Sequence, residues 1–480
     1  MDSLLQEYLD DRTRIGPSPE GAFDGAAGGA ACGDLIRISL VVEDARIAAV
    51  TFDTEGCAAM QAASACAAEL VDGATVIEAA GITAGEIEDS LGGLSPARKH
   101  AAMLAADAIH RALSSVASSG QKLGEPHADR VLVAVSGGVD SAVAALRERE
   151  RGADVIAVTV KLWADPDTDG AKACCSPEAV LGARAVTHSL GIPHFTLDLE
   201  DQFRRQVVGR FVSGYSEGQT PNPCVLCNGE VRIAAMVDLA DRLGATHLVT
   251  GHYARVISDG EGSLLAAGED ENKDQSYMLA ALPTEVIERL SFPLAELSKP
   301  EVREIATRNS LSVAQKPESQ DLCFLAGQNK QSFLSRHGGL VDRAGEVRNL
   351  DGETVGEHNG HHNFTVGQRR GLGVAAGRPL YVLSTDARSN VVTVGERDDL
   401  TVDRVTVRNA VMHRDGASVD RVRLRYRSPA VKASVVASAG VHEELELTLD
   451  EPFDGPAPGQ AAVLMSGDTV VGHATIAAAV

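Results

Sequence analysis

Basic charge is in short supply. The 480-residue chain sets 44 Lys and Arg against 67 Asp and Glu, a formal net charge of −23. That balance excludes a surface built as one broad nucleic-acid footprint, because phosphate binding draws on clustered cations. Any such footprint must be a local patch, for which RQVVGR (205–210) and GQRRG (367–371) are the candidates. Long apolar runs are missing too. The alanine-rich stretch from Ala101 to Ala112 carries charge and is shorter than the ~20 residues that a bilayer demands, so no membrane role is expected. The opening MDSLLQEYLDD is acidic and lacks the basic-then-apolar order of a secretory signal. The expected address is cytoplasmic. Cysteine is scarce, with eight residues at 32, 57, 66, 174, 175, 224, 227 and 323. That is too sparse for a disulfide scaffold. In a reducing compartment, clustered cysteines point to metal, sulfur transfer or a redox pair.

What is present divides along the chain. After a short polar helix, residues 16–30 read as irregular. DLIRISLVVEDARIAAVTFDT (34–54) alternates as a small antiparallel sheet with EDAR at its turn, and helical patterns follow from Met60. This is an α+β unit over 1–115, and 116–129 reads as a linker. From Val131, apolar strands alternate with helices, which predicts a parallel sheet covered on both faces over 130–330. Beyond Gly345 the chain is rich in short strands, which predicts two small β domains, 331–396 and 397–480, the last a barrel.

SGGVDS (136–141) follows the first of these strands and opens a helix. Gly137 and Gly138 free the backbone to turn and aim N–H groups inward, Ser136 and Ser141 add hydroxyls, and a helix N-terminus favours an anion. Asp140 would hold Mg²⁺ or fix the loop. A glycine turn between strand and helix is usually only structural, but the parallel-sheet context favours a ligand crevice. The GxxxxGK[ST] phosphate loop is absent.

The loop resembles the pyrophosphate loop of ATP-dependent adenylating enzymes, among them GMP synthetase and the tRNA thiolases. TPNPCVLCNGE (220–230), GATHLVTGHYARV (244–256), KDQSYML (273–279), KPESQDLCFL (316–325) and FTVGQRRGLGV (364–374) narrow the resemblance, over roughly 130–480, to the tRNA-specific 2-thiouridylases. The resemblance implies an ATP-pyrophosphatase (PP-loop) domain. It implies ATP and Mg²⁺ as cofactors, with Gly251, Lys273, Asp274 and Gln275 joining the loop at the nucleotide. It makes Cys323 the persulfide carrier and Cys227 its partner through a transient disulfide. The implied substrate is uridine 34 of the tRNAs for lysine, glutamate and glutamine, adenylated at its C2 oxygen. Gln368, Arg369 and Arg370 would position the RNA, although two exposed arginines are by themselves routine surface residues. Lys273 to Gln275 would by themselves be a solvated turn.

Cys224 departs from the family, many members of which carry aspartate there. PCVLC makes a CxxC pair, and Cys224, Cys227 and Cys323 would serve equally as three ligands of a 4Fe–4S cluster or as persulfide and redox thiols. Cys174 and Cys175 are left outside the catalytic set.

The front unit resembles the NifU N-terminal iron–sulfur scaffold family. Cys32, Asp34, Cys57 and His100 match its assembly site, but Ala101 stands where its third cysteine belongs, and Cys66 does not replace it. The four matching residues would hold zinc, carry a labile cluster, receive persulfide sulfur, or be an inactive remnant for docking. A cysteine desulfurase or sulfur carrier is the implied partner. The alternatives are another ATP-pyrophosphatase-type RNA sulfurtransferase and a non-catalytic iron–sulfur carrier or RNA-binding module.

Overall fold

A computed structural model describes the chain except for residues 1, 2, 30–32, 164, 166–175, 318–321, 326, 375, 376 and 480. Cys32, Cys174 and Cys175 lie outside the described residues.

The front unit opens with helix Ser3–Asp10 and builds one antiparallel sheet in the order β1 (Phe23–Gly28), β2 (Leu35–Glu43), β3 (Arg46–Glu55). Asp44 and Ala45, at φ 47° and 60°, make the two-residue turn between β2 and β3. Helices Ala58–Val71 and Lys99–Ser118 pack on this sheet. The strand β1 corrects the irregular reading of 16–30. FDGAAG has no β-branched residue, so propensity hides it. Its glycine is there for proximity: a Cβ on Gly25 would lie 2.1 Å from the Ala108 carbonyl and 2.2 Å from the Ala112 nitrogen.

The central unit is a five-stranded all-parallel sheet. Its strands are β4 (Arg130–Ala134), β5 (Asp154–Lys161), β6 (His194–Asp198), β7 (His247–Thr250) and β10 (Leu290–Ser291), in the order β10-β7-β4-β5-β6. Between β7 and β10 the chain makes the hairpin β8 (Ala254–Ser258) and β9 (Ser263–Ala267), which leaves this sheet altogether.

Next come the antiparallel pairs of β11 (Gly345–Arg348), β12 (Thr354–His358), β13 (Tyr381–Asp386) and β14 (Val391–Gly395), a four-stranded sheet in which β11 runs parallel to β14. The last unit contains β15 (Thr401–Met412), β16 (Arg421–Arg423), β17 (Val431–Ser434), β18 (Gly440–Asp454), β19 (Ala461–Ser466) and β20 (Thr469–Ala479). They follow the order β15-β18-β17-β16-β19-β20, and pairing of β15 with β20 closes the barrel. The hairpin β8–β9 joins this barrel sheet through β20, so the barrel recruits strands from the central stretch of chain.

The front unit is docked, not tethered. Helix Lys99–Ser118 continues through the first residues of the expected linker and packs along β6. The Ala80 carbonyl accepts the His194 N–H at 2.9 Å, covering a donor at the start of this edge strand. Leu123 is fully buried, and the N–H groups of Leu123 and Gly124 donate to the Arg242 carbonyl. One apolar cluster runs without a break from Ile36 and Leu113 through Leu132 and Phe195 to Met465. Among the described residues, no helix is long and apolar enough to cross a membrane.

Candidate functional site

β4 runs into Ser136-Gly137-Gly138, and Gly138 is the N-cap of helix Val139–Glu150. Gly137 sits at φ +69°, where only glycine is unstrained. The Ser141 hydroxyl accepts the Ser136 N–H (3.1 Å) and donates to the Gly138 carbonyl (3.1 Å), which closes the loop on itself. The sheet order reverses here. β5 and β6 lie on one side of β4, β7 and β10 on the other, so the C-terminal ends of β4 and β7 open a crevice. Gly251 leaves β7 directly against the loop; a Cβ there would stand 2.8 Å from the Asp140 carbonyl carbon and the Ser141 nitrogen. Ser136, Gly137, Gly138, Asp140, Ser141 and Gly251 are thus brought together.

Three polar side chains complete this loop: Tyr253, from the GHYARV segment that the resemblance puts near the nucleotide, and Lys299 and Lys316, which the sequence did not single out as site residues. Lys299, at the start of helix Lys299–Arg308, places its ammonium 2.7 Å from both Asp140 carboxylate oxygens. The Tyr253 hydroxyl donates to Asp140 Oδ1 at 2.9 Å. Lys316 Nζ donates to the Gly137 carbonyl at 2.9 Å. Two ammonium groups at a glycine loop and a helix N-terminus are chemistry suited to an anion. Lys316 lies within the KPESQDLCFL stretch, whereas Lys299 gives no local signal: only the tertiary fold carries it to Asp140.

Gln275 brackets Tyr253, accepting its N–H at the side chain (3.1 Å) and donating its own N–H to the Tyr253 carbonyl (2.9 Å). Asp274 is committed elsewhere. Its carboxylate takes Arg423 of β16 at 2.7 Å and both the N–H and the hydroxyl of Ser276. Lys273, partly exposed, donates its N–H to the Asp270 carbonyl.

The thiols lie on the other side of the β7 exit. Asn222 caps helix Pro223–Leu226 by accepting the N–H groups of Cys224 and Val225, each at 3.2 Å. Cys227 is buried at the head of the π-turn Cys227–Arg232. It belongs to an apolar cluster with Trp163, Phe203, Phe211 and Phe324, against which partly buried Cys323 packs. Burial pushes the Cys224 thiol up, partly offset by Arg232. No disulfide joins Cys224, Cys227 or Cys323 to another cysteine among the described residues. Among the described residues, one trio of Cys, His, Asp or Glu has ligand atoms all within 4.8 Å of one another, and it is not this one. The three thiols are therefore too far apart for one shared ion, a spacing that leaves a cluster, whose ligand sulfurs stand farther apart, open. His252 links the two halves, with Nδ1 2.7 Å from the Thr250 hydroxyl and Nε2 3.2 Å from Arg232. Burial first, and then Arg232, push its pKa down to about 3, so it is a neutral connector and not a proton shuttle near pH 7.

Gln368 folds its own turn, accepting the Thr365 N–H and donating to the Arg370 carbonyl at 2.9 Å. Arg369 and Arg370 are left exposed.

The compact trio is in the front unit. His100 Nε2 lies 2.7 Å from Asp34 Oδ2, the Cys57 N–H donates to Asp34 Oδ1 at 3.2 Å, and all three ligand atoms fall within 4.8 Å. Gly56, at φ +147°, makes the approach possible, since a Cβ there would meet Asp34 Oδ1 at 2.2 Å. Asp34 is buried while Cys57, the N-cap of helix Ala58–Val71, faces solvent. A thiol, an imidazole and a carboxylate at that spacing suit zinc or iron. Ala101 is fully buried. Cys66 is buried too, its thiol pushed up to about 11 chiefly by desolvation, which suits an inert core residue.

Comparison with known proteins agrees with this division. The NifU-like N terminal domain family matches residues 2–121, the tRNA methyl transferase HUP domain 129–327, the tRNA methyl transferase PRC-barrel domain 331–396, and the aminomethyltransferase beta-barrel domain 398–476. A protein of Rubrobacter xylanophilus described as bifunctional protein NifU/MnmA is 45% identical over 471 residues, covering 94% of this chain and 93% of its own. The chain belongs to the NifU/MnmA fusion family. A tRNA-specific 2-thiouridylase MnmA of Syntrophotalea carbinolica is 42% identical over 351 residues, covering 72% of this chain and 98% of its own. The MnmA part of the fusion thus accounts for nearly the whole of that relative, and the NifU-like part is what this chain adds. Among solved structures, an iron-sulfur cluster assembly scaffold protein from Fervidobacterium islandicum AW-1 is 20% identical, covering 24% of this chain and 96% of its own at a TM-score of 0.21.

Proposed function

We propose that this chain is an ATP-dependent tRNA 2-thiouridylase acting in the cytoplasm on uridine 34 of the tRNAs for lysine, glutamate and glutamine. The observation that carries the reading is the SGGVDS loop at the reversal of a parallel sheet, with Lys299 and Lys316 converging on it. ATP with its Mg²⁺ occupies the loop. The uridine C2 oxygen attacks the α-phosphorus, pyrophosphate leaves, and the oxygen becomes an AMP leaving group. The terminal sulfur of a Cys323 persulfide attacks C2 and AMP departs. The Cys227 thiolate then attacks Cys323 Sγ, the sulfur–sulfur bond to the substrate breaks, and 2-thiouridine is released as a Cys227–Cys323 disulfide forms. A dithiol reductant returns both cysteines to thiols. The same three thiols, with the CxxC pair Cys224–Cys227, also suit a 4Fe–4S cluster as an alternative sulfur route.

In this reading Gln368, Arg369 and Arg370 and the barrel hold the anticodon arm. The trio Asp34, Cys57 and His100 receives sulfur from a cysteine desulfurase or sulfur carrier, or holds zinc or a labile cluster. Methyl transfer, the activity named in two of the matching family descriptions, is the second reading; two lysines on a glycine loop favour a polyphosphate over a methyl donor.

Incubating the full chain with unmodified tRNA, ATP, a desulfurase, cysteine and a dithiol, followed by nucleoside mass analysis, tests the reading. The expected products are AMP, pyrophosphate and 2-thiouridine at position 34. Cys323→Ser is expected to abolish the thionucleoside, and Cys57→Ser to slow its formation only when sulfur comes from the desulfurase. Methylated nucleoside, or no AMP and no thiolation, would overturn it.

A further inference from the structure

The segment Asp270–Tyr277 touches the residues that hold Asp140. Asp270 Oδ2 accepts the backbone N–H of Lys299 (3.1 Å), whose ammonium holds Asp140. Gln275 clamps the Tyr253 backbone on both sides, and the Tyr253 hydroxyl reaches Asp140. Just beyond the segment, the Met278 carbonyl accepts from Asn228, the neighbour of Cys227, at 2.9 Å. The same segment is fastened to the barrel. Asp274 takes the Arg423 guanidinium of β16 at 2.7 Å, and the Tyr277 hydroxyl donates to the Ala461 carbonyl of β19 at 2.9 Å.

The Arg423–Asp274 pair is the element of this network best suited to transmit displacement. Their side chains are 18% and 3% exposed. Asp274 is held by three bonds at once, two of them from Ser276. Water has little access to replace the ion pair, so breaking it is costly. A shift of β16 therefore either drags Asp274 or leaves a buried carboxylate without its cation. Asp274 is covalently joined to Gln275, whose grip on Tyr253 sets the hydroxyl that Asp140 accepts. The path from barrel to loop through this charged contact is continuous.

We propose that the Arg423–Asp274 ion pair couples RNA on the barrel to nucleotide affinity at the SGGVDS loop, with Arg423 a positioning residue acting through Asp274, Gln275 and Tyr253 on Asp140. This rests on the reading that the barrel holds tRNA and the loop holds ATP. Reciprocity follows: bound nucleotide tightens RNA by the same factor that RNA tightens nucleotide.

The test measures binding of a non-hydrolysable ATP analogue to the full chain with and without unmodified tRNA. Wild type is expected to show at least about a fivefold difference. The double variant Arg423→Met with Asp274→Asn removes both charges together, so no unpaired ion is left in the interior. It is expected to bind each ligand but to lose the difference. Tyr253→Phe deletes only the hydroxyl that reaches Asp140 and is expected to reduce the difference as well, while Arg423→Lys, with Asp274 intact, restores part of it. A double variant with a wild-type melting curve and undiminished coupling would overturn the proposal. So would wild type with no coupling. If that wild type still thiolates tRNA, only the coupling falls; if it does not thiolate, the functional reading falls too.

Discussion

Asp140 has its role set by partners that sequence spacing hides. Its place in SGGVDS left two readings, a magnesium ligand or a brace for the loop. Both of its oxygens face Lys299, and one also accepts from Tyr253, partners that tie it to the loop's surroundings. Arrival of a polyphosphate would compete for the same ammonium. Lys299→Met is accordingly expected to weaken nucleotide binding about tenfold and to destabilise the chain by about 2 kcal/mol, since the carboxylate left behind is only partly reached by water. Titration with an ATP analogue and thermal melting check the two effects. The residues that form the loop were legible because they are contiguous. Lys299 and Arg423 were not, because charge pairing between segments 150 or so residues apart leaves no local pattern. Asp274 was read as a nucleotide residue, and the structure gives its carboxylate to Arg423 instead.

At the scale of elements, the alternation of apolar strands and helices after Val131 was readable because burial on both sheet faces writes continuous apolar runs. β1 was not readable, because its composition answers to a neighbour. Gly25 lets the strand lie against helix Lys99–Ser118 closer than any side chain permits. Gly25→Ala must push the helix away, at about 3 kcal/mol. It is expected to lower the melting temperature and speed hydrogen exchange in that helix, an outcome that exchange mass spectrometry reads directly. The barrel was legible as a run of short strands. Its borrowed hairpin was not, since nothing local in Ala254–Ala267 says which sheet it joins.

At the scale of the molecule, the front unit is bonded to the central sheet through an interface that carries three histidines. His110 faces the Ile82 carbonyl, His188 the Ala80 carbonyl, and His194 the Thr159 hydroxyl, with the Arg184–Asp107 ion pair between the units. Burial first holds all three imidazoles below their ordinary value, and for His110 and His194 Arg184 is the next cause. The unfolded chain takes up protons at these sites as pH falls through about 6.5 while the folded chain does not. The stability contribution is therefore intact above that pH and is lost below it, by up to about 1.4 kcal/mol per pH unit for each group. Melting followed from pH 8 to pH 5 is expected to show the loss beginning near pH 6.5, and His110→Gln is expected to shallow the slope. A flat profile would remove the histidines from that account.

The hairpin that crosses into the barrel has a practical consequence for anyone recombining such proteins. A C-terminal cassette cut at residue 397 and grafted onto another catalytic half would leave behind the strands that lie beside β20. A working chimera must carry residues 254–267 with the cassette, together with both members of the Arg423–Asp274 pair, because the seam between these modules follows the hydrogen bonds and not the order of the chain.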